Sequence, residues 1–194
     1  MSSEGLYFKI LLAGEDGVGK TSLIIRFIAN RFEDSSSPKS IEGDYVTTKL
    51  DLFGAPVKIQ IQDFTGIQWP EVVSFHVKDN DGILVILDVS SKAKMKPYLD
   101  YWLKSIRQVN ASIPVVVVGN KNDLSIKINI NKTAQYVSQL GSNFIETSAK
   151  SGENVGYAFK LLTSEIVKHK AAVKKRSEGR REDGLDAIFS RYNI

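Results

Sequence analysis

Cysteine does not occur anywhere in the 194 residues. Disulfides and zinc–thiolate sites are therefore excluded, and the composition suits a reducing compartment such as the cytoplasm. No apolar run is long enough to cross a bilayer. The first residues, Met1-Ser2-Ser3-Glu4, lack the basic-then-apolar pattern of a secretory signal. There is no internal repeat. Most of the chain also lacks a positive balance. Lys168, Lys170, Lys174, Lys175, Arg176, Arg180 and Arg181 meet only Glu178 within their stretch. They account for more than the whole net charge of +4, and the remainder is weakly acidic. The basic balance belongs to the C-terminal end and is no sign of a nucleic-acid-binding domain.

What is present is an ordinary globular composition, 42% hydrophobic and 25% charged, with length for one domain and a real core. Apolar runs alternate with helical patterns. "LYFKILLA" (6–13) reads as a buried strand, and Leu23, Ile24, Phe27 and Ile28 give residues 21–30 a helical stripe. Residues 31–44 read as a loop. Residues 45–52 and 57–62 alternate like paired strands around the turn "FGAP". Residues 67–81 read as irregular or weakly helical. "GILVILDV" (82–89) and "PVVVVGN" (114–120) read as central parallel strands. Helices are predicted over 95–109, 131–140 and 153–172, with a short strand at 143–146. In the first of these, Tyr98, Tyr101, Trp102, Leu103 and Ile106 form the inner side. Strands separated by helices argue for a three-layer α/β fold with a parallel sheet. A domain over 1–172 and a charged tail over 173–194 are expected.

Gly14-Glu15-Asp16-Gly17-Val18-Gly19-Lys20-Thr21 follows a predicted strand and opens a predicted helix, the context that a phosphate-binding loop requires. Its glycines let backbone N–H groups close around phosphate oxygens. Lys20 would reach the β- and γ-phosphates, and the Thr21 hydroxyl would take a position on Mg²⁺. Ser22, Gly17 and Val18 complete the set of loop contacts. "NKND" (120–123) ends the strand "PVVVVG". The Asp123 carboxylate there can accept from both N1–H and N2–H of guanine, a donor pair that adenine lacks. "ETSAK" (146–150) ends the next strand, where the Ala149 N–H could donate to guanine O6, flanked by Ser148 and Lys150. Asn120 and Lys121 complete the base-side candidates. Asp63, ending "VKIQIQ", is placed for Mg²⁺ through water, and the Gly66 N–H for the γ-phosphate. Each short string is weak alone. At successive strand ends after a phosphate loop they reinforce one another, because ligands bind at the carboxyl ends of such strands.

In these motifs, over roughly residues 6–170, the sequence resembles the Ras superfamily of small GTPases, most closely its Rab branch. "GILVILDVSS" and Trp102 within "YLDYWLKSI" add to the likeness. The resemblance implies a P-loop nucleotide-binding fold with a six-stranded, mostly parallel sheet, one antiparallel strand and helices on both faces. It also implies a GTP/GDP switch with Mg²⁺ that acts as a monomer on effector and regulatory proteins through residues 33–45 and 64–78. Phe32 takes the place of the aromatic that lies against guanine.

Three departures stand out. Ser40 takes the place of the first-switch threonine that binds the metal, although an ungapped count puts Lys39 there. Ile67 occupies the place of the glutamine that orients the attacking water, and its side chain can neither donate nor accept a hydrogen bond. Gln68 stands one residue late. Lys20, Gly66 and Gln68 are thus the candidate catalytic groups. Asp16 brings a carboxylate toward the γ-phosphate and any incoming arginine, a group worth about 10³–10⁵ in rate. Slow hydrolysis is expected; the alternatives are a GTP-loaded scaffold without hydrolysis and an ATP-using P-loop enzyme, against which Asp123 argues. No lipid anchor is expected, since Cys is absent and Ser2 follows the initiator Met. The basic stretch offers peripheral contact with anionic membrane. Beyond it, Leu185, Ile188, Phe189 and Tyr192 make an apolar stripe at helical spacing.

Overall fold

The computed structural model describes residues 6–32, 45–63, 75–92 and 94–178, with side chains to 175. The first switch with Lys39 and Ser40, the segment with Gly66, Ile67 and Gln68, and the tail beyond 178 lie outside the described residues.

Six strands form one sheet: β1 (Tyr7–Ala13), β2 (Tyr45–Leu52), β3 (Ala55–Asp63), β4 (Gly82–Asp88), β5 (Val115–Asn120) and β6 (Asn143–Glu146). Their order is β2-β3-β1-β4-β5-β6. β2 is antiparallel to β3 and every other pairing is parallel. Among the described residues four helices are bounded, three between strands and one after β6: α1 (Lys20–Ala29), α2 (Met95–Val109), α3 (Ile130–Gln139) and α4 (Val155–Glu178). The expected fold class is the one observed.

The two-residue period of a strand sorts β1 between the two faces of the sheet. Ile10 and Leu12 join a core with Leu23 and Ile24 of α1 and Phe159, Leu162 and Ile166 of α4. Leu11 and Ala13 join a second core with Leu99, Trp102 and Ile106 of α2 and Val137 of α3. Strands β4 and β5 are covered on both faces, hence their unbroken apolar runs. The buried residues of β2 and β3 (Leu50, Leu52, Val57, Ile59 and Ile61) all enter the first core. Residues on their other face are exposed or only partly buried, in keeping with the alternation of these two strands in sequence. The hairpin between them turns on Phe53 (φ 53°) and Gly54 (φ 88°), the doubly left-handed geometry that matches strand twist.

Two details depart from expectation. Tyr101 is not on the inner side of α2. It is 39% exposed, set edge-on against Trp102 with ring centres 5.4 Å apart. One residue along a helix is a rotation of about 100°, which carries it off the stripe of Leu99, Trp102, Leu103 and Ile106. Helix α4 runs on to Glu178, past the expected end near 172. Ala and Lys are good helix formers, and cations suit a helix C-terminus.

Register places the motif residues Asp63, Asn120 and Glu146 at one end of the sheet. Leu12 pairs with Asp63, Asp88 with Asn120, and Gly119 with Glu146. These are the carboxyl ends of the parallel strands.

Candidate nucleotide-binding site

The loop from β1 to α1 is built on left-handed glycines: Gly14 (φ 144°), Gly17 (φ 79°) and Gly19 (φ 97°). Gly14 is also packed without slack. A Cβ there would overlap the Ile86 carbonyl oxygen and come within 2.9 Å of Tyr98 Oη. Gly19 stands at the N-cap of α1 and supplies no side-chain cap. The first intrahelical bond is Leu23 N–H to Gly19 O, 2.9 Å. The N–H groups of Lys20, Thr21 and Ser22 are therefore left for an anion, with the positive end of the helix dipole behind them.

Lys20 is 4% exposed. Its Nζ donates to the Gly14 and Glu15 carbonyls, both at 2.9 Å, and stands 3.9 Å from Asp16 Oδ1. Burial holds the amine below the ordinary lysine range, opposed by the charges of Asp63, Asp16 and Glu15. A phosphate would supply the full counter-charge that two neutral carbonyls and a solvent-exposed carboxylate at 3.9 Å do not. Nearby, Thr21 Oγ1 donates to Asp63 Oδ2. Asp63 Oδ1 is buried and has no hydrogen-bond partner among the described residues. Burial pushes the Asp63 carboxyl above its ordinary range, against the Thr21 hydrogen bond and the Lys20 charge. A hydroxyl beside an unpaired carboxylate oxygen, at the mouth of a phosphate loop, is a donor set that fits Mg²⁺, which takes few protein ligands and keeps phosphate oxygens and waters. Among the described residues no three His, Asp or Glu side chains gather as an all-protein cage.

The base-side motifs are joined to this loop by direct bonds. Asn120, 1% exposed, donates from Nδ2 to Val18 O at 2.9 Å. Its Oδ1 accepts from Ala149 N at 3.1 Å and Thr147 Oγ1 at 3.3 Å. The Ala149 N–H assigned to guanine O6 is thus already shared with Asn120. Lys121, in a left-handed conformation (φ 68°), donates to Gly17 O at 2.6 Å and pairs with Asp88 at 2.8 Å. Asp123 Oδ1 accepts from Ser148 Oγ at 2.6 Å, and that hydroxyl accepts in turn from Ser151 N at 3.0 Å. Lys150 is exposed beside them. Phe32 is half-buried and packs against the core under α1 and α4.

Three supporting residues were not singled out from the sequence for any role at the site. Tyr98 of α2 donates to the Ile86 carbonyl and accepts from Glu15 N at 3.2 Å, bracing the phosphate loop from below. Burial pushes its phenol above the ordinary range. Helical spacing placed Tyr98 inward but held no sign of its target. Asp88, the partner of Lys121, closes an apolar strand as a lone carboxylate, a signal that could have found it. Arg26 of α1 donates to the Ala149 and Lys150 carbonyls at 2.7 and 2.6 Å and so holds the "ETSAK" loop; its sequence surroundings carry no such signal.

A glycine cradle at a helix start, an open Mg²⁺ corner and a carboxylate aimed from the next strand ends make a site for a guanine nucleotide. The sequence matches the family described as Ras family over residues 9–168, which spans all six strands but the first two residues of β1. Fold, site and sequence match agree that the chain belongs to the Ras family of small GTPases.

Proposed function

We propose that the protein is a guanine-nucleotide switch of the Rab type that binds GTP and GDP with Mg²⁺ and hydrolyses GTP slowly. The observation that carries the nucleotide reading is the direct coupling of the two halves of the site: Asn120 to Val18 and Lys121 to Gly17. It fixes the guanine-reading Asp123 at a set distance from the phosphate cradle. In this reading the N–H groups of residues 17–22 and Lys20 hold the phosphates, Thr21 and Asp63 hold the metal with Ser40, and Asp123 and Ala149 read guanine beside Phe32. Bound Mg²⁺ would neutralise the charge on the phosphate oxygens. Residues 33–45 and 64–78 would report the γ-phosphate to effector proteins.

Slow hydrolysis rests on Ile67, which has no group to orient a water, and on Asp16. The Asp16 side chain is 78% exposed beside the Lys20 amine, where it repels phosphate and crowds an arginine arriving from a partner. A GTP-loaded scaffold is the limiting case of the same reading. Residence in the cytoplasm, with the basic stretch from Lys168 onward on anionic membrane and a role in vesicle traffic or signalling, belongs to the proposal. Single-turnover GTP hydrolysis by the wild type and by Ile67→Gln tests it. A slow wild type accelerated by the substitution supports the reading, whereas a wild type already as fast as Ile67→Gln removes Ile67 as the cause.

A further inference from the structure

At the opposite end of the sheet from the nucleotide motifs lies a cleft of about 560 Å³, within the usual size of small-molecule sites. It opens where β5 and β6 begin, between the last turn of α2, the link from α3 to β6, and the middle of α4. Its walls carry Arg107, Ser112, Ser142, Glu165, Lys168 and His169. No part of the nucleotide reading uses it.

Arg107 is the informative group. Its Nη1 donates to the Ile113 carbonyl, and its Nη2 lies 3.4 Å from Ser142 Oγ. Both acceptors are neutral, and no carboxylate among the described residues pairs with this guanidinium. Burial holds it below the ordinary arginine range. A desolvated cation without a counter-charge is costly, and the fork still has N–H groups to give. Ser142 is 9% exposed. Its oxygen faces Arg107, which leaves its own O–H to donate. On the other wall Lys168 pairs with Glu165 at 3.3 Å. That pair cancels, and Arg107 leaves the cleft net positive.

We propose that this cleft binds a phosphomonoester group. Donors reach it from three elements: the Arg107 fork from α2, the Ser142 hydroxyl from the α3–β6 link, and Lys168 with His169 from α4. A tetrahedral dianion has acceptor oxygens for all three directions, whereas a planar carboxylate is satisfied by the arginine fork alone. The group is carried either by a lipid headgroup or by a soluble phosphorylated molecule.

The full chain, preloaded with GDP and Mg²⁺ so that the phosphate loop is filled, is titrated with inorganic phosphate at constant ionic strength while backbone amide NMR shifts are followed. Saturable shifts confined to Ser112, Ser142, Asn143 and His169 are expected. Arg107→Gln should weaken this binding by about tenfold or more, the worth of a hydrogen bond to a charged group. Because Arg107 also braces the Ile113 carbonyl, Glu165→Gln is the second variant. It removes a carboxylate from the rim and should tighten phosphate binding with the fold intact. Vesicles containing a phosphatidylinositol monophosphate, compared with phosphatidylserine vesicles of equal charge, separate the sources. Preference for the former that Glu165→Gln strengthens assigns a lipid headgroup. Saturable phosphate binding without that preference assigns a soluble phosphomonoester. Shifts that spread over all exposed lysines, track ionic strength and ignore Glu165→Gln would overturn the proposal. The readout sits at residues far from the phosphate loop, so failure of the GTP reading and failure of this one are separate results.

Discussion

The base side and the phosphate side of the site are built on opposite plans. On the base side, Asn120 spends its amide on Val18, Ala149 and Thr147, Lys121 is engaged by Gly17 and Asp88, and Asp123 already holds Ser148. On the phosphate side, Lys20 makes do with two carbonyls, the first N–H groups of α1 have no partner one turn back, and Asp63 Oδ1 is buried and unpaired. Among the described residues the base side leaves Asn122 Oδ1 buried and unpaired but engages Asn120, Lys121 and Asp123 without a ligand; the phosphate side leaves a lysine, a helix start and the Asp63 carboxylate for a nucleotide with its metal to satisfy. Removing a base-side group should therefore harm the empty protein, and removing a phosphate-side group should harm mainly the loaded one.

The largest effect is the exception to that division and lies where the phosphate loop itself packs against β4 and α2. Gly14→Ala forces a Cβ into the Ile86 carbonyl at a positive φ. It should cost more than about 3 kcal/mol, seen as a shifted urea midpoint with or without nucleotide. Asn120→Ala strips partners from the Val18 carbonyl and the Ala149 N–H, and should cost the empty protein about 2–3 kcal/mol. A midpoint equal to wild type would break the comparison. Tyr98→Phe keeps the ring and removes one hydroxyl from between Glu15 and Ile86. It should cost about 1–2 kcal/mol and speed GDP release, measured with a fluorescent GDP analogue. Asp63→Ala should leave the empty protein no less stable, because losing the Thr21 hydrogen bond to Oδ2 is offset by removing a desolvated carboxylate whose Oδ1 is buried and unpaired. GDP retention in Mg²⁺ should nevertheless fall by roughly tenfold or more, the worth of one charge-assisted contact. An empty Asp63→Ala protein that unfolds early would contradict the comparison.

The smallest effect is a pH dependence on the base side. Burial raises the Asp88 carboxyl, but hydrogen bonds from Lys121 and Ser90 and the Lys121 charge outweigh it and hold the group below the ordinary carboxylate range. Its folded form thus favours the anion more than the unfolded chain does. The stability it contributes is present above about pH 4 and is lost as pH falls through the depressed folded value. Asp88→Asn should lower the midpoint at pH 6 and flatten that acid limb.

Glycine loop, strand ends and base motif could all be read from residue types, because each has a local requirement: positive φ, a buried run, a carboxylate at a strand terminus. What could not be read is whatever depends on the reach of a side chain across the fold. Tyr98 and Arg26 look like ordinary helix residues until α2 and α1 are packed. Tyr101 shares its chemistry with Trp102 and differs only by one step of rotation. The length of α4 escaped because a run of lysines marks a change of composition, which need not be a change of backbone. Strand number and the one antiparallel strand came from the family likeness, and strand order was not read at all, since alternation says which face is buried but not which strand lies beside which.

The central claim is that a prebuilt base side selects guanine. The most direct test is the affinity of the metal-loaded protein for GDP, IDP and ADP, for wild type and Asp123→Ala. The account expects wild type to prefer GDP over ADP by about 10³-fold or more, as for sites built around a substrate hydrogen bond. IDP, which lacks the N2 amine, should fall between, and Asp123→Ala should compress all three toward one value. Equal affinity of the wild type for GDP and ADP would contradict it.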